Sequence, residues 1–152
     1  MIIYTDGACQ GNGSQHSRGG FGVVVLDNDE NLLYYYNKLC ENTTNNKEEL
    51  KAILYAMLNY GTKDYNNIPI VYSDSNYCVQ TLTNWMFGWA NRGWLKSDNK
   101  TPENLELIQA FYNHWQKGYR IDLKKVKGHA GNKWNEMADD LATGAMKGLN
   151  NE

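Results

Sequence analysis

Only two of the 152 residues are proline, and no linker, internal repeat or low-complexity tract interrupts the chain. The three cysteines, Cys9, Cys40 and Cys78, are odd in number and lack a CxxC spacing. That argues against a disulfide framework and against a zinc site, leaving small buried or half-buried side chains. The longest apolar run, Phe21 to Leu26, is no longer than a strand, so no membrane span is expected. A basic excess is missing too: 15 Lys and Arg against 17 Asp and Glu leave a net charge of −2. The chain therefore has no overall basic footprint for nucleic acid. Met1 leads straight into strand-like sequence, without the basic start and longer apolar stretch of a secretory signal. A cytoplasmic protein is expected on that ground.

What is present is an ordinary globular composition, 41% hydrophobic and 21% charged, in a length that suits one domain with a real core. Residues 1–8 read as a strand, and 19–27 and 31–39 as a hairpin around the turn-forming "DNDE". "TTNNKEELKAILYAMLNYG" reads as a helix, with Leu50, Ile53, Leu54, Met57 and Leu58 on one face and Gly61 as its stop. "IPIVYSD" is a short buried strand, followed by a helix "SNYCVQTLTNW" capped by Asp74 or Ser75. Thr101-Pro102 reads as the start of another helix, with proline at its first position, running to Gly118. "YRIDLKKV" is the last strand, and a glycine-containing loop leads to a final helix. Antiparallel strands first, then strands alternating with helices, imply a mixed α/β sheet covered on both faces.

Asp6 and Asp74 fall at the C-terminal ends of predicted strands, where open α/β sheets bind ligands. Each alone has a bland explanation, since Asp-Gly is turn chemistry and Asp-Ser is an N-cap. The helices sharpen the case. Glu49 lies four residues before Ile53 and borders the apolar stripe, whereas Glu48 aligns with Ala52, Tyr55 and Asn59 toward the flank. In the last helix Asp139 falls at the edge of the buried face, and Asp140 belongs to a polar stripe. Carboxylates bordering a core are costly unpaired, and four together would repel one another. Hard divalent cations with oxygen ligands would resolve that conflict, so Asp6 is expected to hold a metal.

"YTDGAC", "TTNNKEEL", "YSDSNY" and "KGHAGNKWNEMADDLA" together resemble the motif blocks of type 1, bacterial-like ribonuclease H, in order and at suitable spacing. The resemblance covers residues 1–147, taken as a single catalytic domain with 148–152 as a frayed tail. It implies the ribonuclease H-like fold, a five-stranded mixed sheet of three antiparallel then two parallel strands. It implies an endonuclease that hydrolyses the RNA strand of RNA–DNA hybrids with two Mg2+ ions, Mn2+ substituting, to give 5′-phosphate and 3′-hydroxyl products. The family's acidic quartet falls on Asp6, Glu49, Asp74 and Asp139, in agreement with the helix-face argument. His129, between glycines, matches a histidine that assists proton transfer or product release. His16 and His114 have no such context.

The same resemblance places Asn12, Asn46 and Asn76 in the RNA minor groove, where 2′-hydroxyls are read, with backbone groups near Cys9 and Gly11. Thr44 and Asn45 match a pocket for a phosphate of the DNA strand, at a helix N-terminus that favours anions. Residues 85–100 match a substrate-holding handle: Trp85 packs on a DNA sugar, and Arg92, Lys96 and Lys100 supply charge. Trp89 and Trp94 are open between contact and core anchor. The handle departs from a more basic form at Ala90 and Asn91, Asn76 is one methylene shorter than a glutamine, and the loop over 12–20 is longer, with Arg18 as an extra phosphate contact. Two divalent ions would take the net charge from −2 to about +2. A monomeric, stand-alone enzyme with no membrane partner is expected. The rival readings are a hybrid-binding module that does not cut, and a ribonuclease H of viral or mobile-element origin.

Overall fold

The computed structural model describes residues 1–12, 16–126 and 132–146; the expected frayed tail at 148–152 lies outside them. The sheet is built from β1 (Ile2–Gln10), β2 (Arg18–Leu26), β3 (Leu32–Glu41), β4 (Ile70–Ser73) and β5 (Asp122–Lys125), in the order β3-β2-β1-β4-β5. β1, β2 and β3 pair antiparallel, and β1, β4 and β5 pair parallel, as the resemblance implies. The β2–β3 turn is made by Asp27, whose Oδ1 accepts from the amides of Asp29 and Asn31, both at 2.9 Å.

Helices α1 (Asn45–Tyr60), α2 (Asn76–Gln80), α3 (Met86–Asn91), α4 (Leu105–Gln116) and α5 (Lys133–Thr143) cover the sheet. One core holds Ile3, Val23, Val25, Ile53, Met57, Val71, Ile108 and their neighbours under α1 and α4. The other holds Tyr4, Val24, Leu26, Val126, Ala138 and Leu141 under α5. Alternate residues of β1 and β2 thus serve opposite layers, the period-2 pattern of a strand buried on both faces.

Several expectations need correction. β1 runs past the expected 1–8 to Gln10 beside β2, so Asp6 is inside the strand; what ends just before it is the pairing with β4, last seen at Tyr4↔Tyr72. Asp6 therefore stands where the sheet splits. The buried face of α1 is rotated from the large-residue stripe: Leu58 is exposed, whereas Glu48, Ala52 and Ala56 are completely buried. The reason is close approach. A Cβ at Gly7 would overlap the Glu49 amide nitrogen and lie 2.5 Å from the Glu48 carbonyl carbon, and one at Gly19 would lie 2.7 Å from Thr43 Cγ2. Glycine on the strands and alanine on the helix let the two backbones meet.

α4 starts at Leu105, not at Thr101-Pro102; Asn104, at φ 58°, turns the chain first and donates from Nδ2 to the Tyr77 hydroxyl at 3.3 Å. Gly61 ends α1 with φ −57°, so it acts through the space a missing Cβ leaves beside the Met57 carbonyl rather than through a left-handed turn. Between α2 and α3 the helix widens into a π turn over Thr81–Trp85, which the sequence pattern did not reveal.

Gly7→Ala is expected to destabilise the fold by about 1–3 kcal/mol, the usual cost of forcing atoms into a packed site. Gly88→Ala, whose added carbon meets nothing nearer than the Arg92 guanidinium at 3.7 Å, is expected to be neutral or stabilising by about 0.5–1 kcal/mol. Urea unfolding of both variants measures the contrast.

Candidate metal centre and nucleic-acid interface

The site forms where β1 and β4 diverge. Asp6 comes from β1, Asp74 follows the last residue of β4, and Glu49 comes from α1 just past its first turn. Ser75, not Asp74, caps α2, its hydroxyl accepting from the Cys78 amide at 3.1 Å. Asp74 is thereby left to face the site. One carboxylate oxygen from each of Asp6, Glu49 and Asp74 lies within 4.8 Å of the others. The Gly7 amide donates to Asp6 Oδ1 at 2.9 Å and also to Glu49 Oε1, tying strand to helix.

Asp6 and Glu49 are buried, whereas Asp74 is exposed. Burial pushes the Asp6 carboxyl up to about 7, opposed by its hydrogen bond with Glu49 and reinforced by Asp74 and Asp139. Burial, then the charges of Asp6 and Asp74, push Glu49 up to about 10. Asp139 reaches Asp6 from α5 as a hydrogen-bond and charge neighbour, but it is exposed and lies outside the tight three-carboxylate set. Hard oxygen donors of like charge, two of them driven toward protonation chiefly by burial, fit a divalent cation of the magnesium type.

Several of the expected substrate residues lie on or next to the elements that carry these acids. Asn12 and Asn45 are joined directly, the Asn45 amide donating to Asn12 Oδ1 at 2.7 Å. Thr44 caps α1, its hydroxyl accepting from the Lys47 amide at 3.1 Å. Asn46 is exposed in the same first turn, and Gly11 takes φ 65° at the end of β1. Cys9 is half-buried and donates from Sγ to the Thr43 carbonyl at 3.4 Å. Asn76 is exposed at the start of α2. His129 lies outside the described residues.

In the handle, the π turn ends on Trp85, 43% exposed, its ring 6.3 Å from that of Trp89. Trp89 and Trp94 pack against the core, and Trp94 sets its ring edge-on to Tyr112 at 5.1 Å, so both are anchors. Arg92 is exposed at the end of α3, and Lys96 is half-buried in a turn closed by Lys100. An open cleft of about 810 Å³ lies farther along β1, lined by Gln10, Arg18, Glu41 and Thr143; of the expected contacts Cys9 and Arg18 border it.

The RNase H family model matches residues 1–147. The chain belongs to the ribonuclease H family. Among its relatives, Ribonuclease H of Wolbachia pipientis wMel is 40% identical over 146 residues, covering 96% of this chain and 94% of that protein. Ribonuclease H of Agrobacterium fabrum is 38% identical over 145 residues, covering 95% and 93%. The solved structure of LC9-RNase H1, a type 1 enzyme with the type 2 active-site motif, is 30% identical with a TM-score of 0.72 over 93% of this chain and 69% of that one. LC11-RNase H1, solved in complex with RNA/DNA hybrid, is 28% identical with a TM-score of 0.63 over 93% and 92%. The foamy-viral protease-reverse transcriptase, 17% identical with a TM-score of 0.76 over 93% of this chain and 90% of that one, shares the fold. Membership makes the chain a metal-dependent nuclease, acting on the RNA strand of RNA–DNA hybrids.

The raised carboxyls give a stability prediction with a fixed sign. In acid, both are protonated in folded and unfolded chains alike. Between the ordinary carboxylate range and the raised values, the folded chain keeps protons that the unfolded chain has released. Stability is therefore full in acid and is lost as pH rises through about 7 for Asp6 and toward about 10 for Glu49. Chelator-treated protein is expected to melt lower at about pH 8 than at about pH 5, and Mg2+ to raise the melting temperature more at the higher pH. Calorimetry with and without Mg2+ checks this; equal melting temperatures would contradict it.

Proposed function

We propose that the hydrolysis is carried by Asp6, Glu49, Asp74 and Asp139 holding two Mg2+ ions, with Mn2+ able to substitute. The observation that supports it most is the convergence of three carboxylates from β1, α1 and the end of β4 within 4.8 Å. When bound, the ions would supply Lewis-acid polarisation of the scissile phosphate, a water of lowered pKa and stabilisation of the departing ribose 3′-oxygen. Asp6 and Glu49 would hold the ions as carboxylates, and the Gly7 amide donates to an oxygen of each. Asp139, exposed on α5 as Asp74 is at the end of β4, completes the set from the opposite layer of the sheet. His129, by its place in the family's motif, takes part in proton transfer or product release. The products carry a 5′-phosphate and a 3′-hydroxyl.

The substrate is an RNA–DNA hybrid, the duplex seen on the relative LC11-RNase H1. Asn12, Asn46 and Asn76 offer hydrogen bonds to the RNA 2′-hydroxyls, with backbone groups at Cys9 and Gly11. Thr44 and Asn45 present the N-terminus of α1 to a DNA phosphate, where free amides and the helix dipole favour an anion. Trp85 offers its exposed ring to a sugar, and Arg92 and Lys96 sit on the same protrusion. The chain acts as a single-domain monomer over residues 1–147. Three free cysteines suit a reducing, cytoplasmic compartment. Among the described residues no helix is long and apolar enough to cross a membrane.

Asp74→Asn is expected to keep the fold and lose at least about a hundred-fold in cleavage, the scale on which transition-state charge stabilisation is lost. The assay uses an end-labelled RNA–DNA hybrid with Mg2+ or Mn2+, and an RNA–RNA duplex as control. Hybrid-only cutting that vanishes in the variant is the expected result. Retained cutting by Asp74→Asn would overturn the assignment.

A further inference from the structure

Beside the metal centre lies a carboxylate to which the reaction assigns nothing. Glu48 is completely buried. Its Oε2 accepts from the Thr43 hydroxyl at 2.5 Å and pairs with Lys51 Nζ at 2.8 Å; its Oε1 has no partner among the described residues. A buried ion pair is a weak source of stability, because desolvation offsets its attraction and an apolar pair of similar volume does as well. A half-satisfied one is a poor way to fill a core, and the sequence spends it one residue from Glu49.

What the pair does is visible in what it touches. Thr43, buried, is pinned from its other side by Ser17: the Thr43 amide donates to Ser17 Oγ at 2.7 Å, and that hydroxyl donates to the Thr43 carbonyl at 3.0 Å. Thr43 opens the turn that carries Thr44 and Asn45, and through Asn45 it reaches Asn12. On the helical side, the peptide joining Glu48 to Glu49 rests on Gly7, the residue after Asp6. The Glu48 side chain is thus the strut between Thr43 and Lys51 across the helix turn that bears Glu49. A shift of the strut moves Glu49 against Asp6 and moves the 44–45 turn against Asn12.

We infer that Glu48, with Lys51, is a positioning residue that sets the spacing between the carboxylate centre and the Thr44–Asn45–Asn12 clip, so that metal and hybrid are held in one register. This rests on the assignment of Glu49 to the metal centre. The inference differs from that assignment in what it requires of substitutions, since Glu48 is completely buried and lies outside the carboxylate cluster.

The test is the double variant Glu48→Met/Lys51→Met, which replaces the pair with side chains of similar length and leaves the net charge unchanged. A merely structural pair predicts a variant that is stable and otherwise normal. The positioning role predicts a melting temperature at or above that of the parent, with Mn2+ affinity of the substrate-free protein, read by titration calorimetry, weaker by about ten-fold. It predicts the KM for hybrid raised by a similar factor, with kcat at saturating metal and hybrid nearly unchanged. Unaltered Mn2+ affinity and KM would overturn it. If the double variant does not fold, Thr43→Val, which removes only the hydroxyl donor to Glu48, gives the same readouts, and an unaltered KM and Mn2+ affinity there overturns the inference equally. Asp6→Asn, measured alongside, reports on the metal centre itself: cleavage surviving in it would refute the carboxylate assignment, whatever the Glu48 variants show.

Discussion

The close approach of α1 to β1 at Gly7 is the constraint from which the site follows. Glu49 belongs to a helix on one face of the sheet, Asp6 to a strand whose even-numbered residues face α5 on the other. Two such carboxylates would ordinarily be kept apart by the thickness of the strand and its side chains. Here the first turn of the helix lies on bare backbone, and the strand beyond Tyr4 has no β4 neighbour to block the way. The Gly7 amide, freed from that neighbour, donates to both acids at once. A β-carbon at this one position would separate them.

Bringing like charges together in a half-dry place has an energetic consequence that the rest of the fold must offset. Asp6 and Glu49 resist ionisation because water is excluded, and further because Asp74 and Asp139 raise Asp6 while Asp6 and Asp74 raise Glu49. The offset comes from the two apolar layers, with Ile3, Val23, Val25, Ile53 and Met57 on one side and Val24, Leu26, Ala138 and Leu141 on the other, all nearly or fully buried. A strand buried on both faces is the stiffest support the domain can give its carboxylates, and Asp6 sits on it. Asp74 and Asp139 stand at the more solvated margin, where carboxylates can meet an incoming ion without first being stripped of water.

Much of this was legible in the sequence because the chemistry repeats its own punctuation. The antiparallel-then-parallel sheet follows from the motif blocks, and helix spacing singled out Glu49, which lies beside Asp6 and Asp74. Three things were not legible, for physical reasons. The buried face of α1 was misread because large side chains such as Leu58 were weighted above the alanines, and it is Ala52 and Ala56 that fit against glycine-bearing strands. Glu48 was placed on the flank for the same reason, and its burial depends on Lys51 and Thr43 arriving from positions that no single periodicity links. The start of α4 was set by Thr101-Pro102, a good local signal, but Asn104 takes a left-handed turn that holds Tyr77 and delays the helix to Leu105. Local propensity proposed, and a tertiary contact decided.

The acidic balance of the chain raises a last physical point, since its proposed partner is a polyanion. Net charge acts at long range and is screened within about 10 Å at ordinary salt. What acts at contact is placement. The N-terminus of α1, the Asn12–Asn45 pair and the Trp85 ring are neutral groups whose hydrogen bonds and stacking do not depend on a basic surface. Two of these three are tied to the backbone that also carries Glu49, so the proposed recognition groups and the proposed metal centre share one stretch of chain. A chain that grips through such a stretch depends less on counterion release than a basic handle does, and more on the exactness of that stretch. That is why the buried neighbours of the stretch, rather than its surface cations, are where this member of the family has the most to lose.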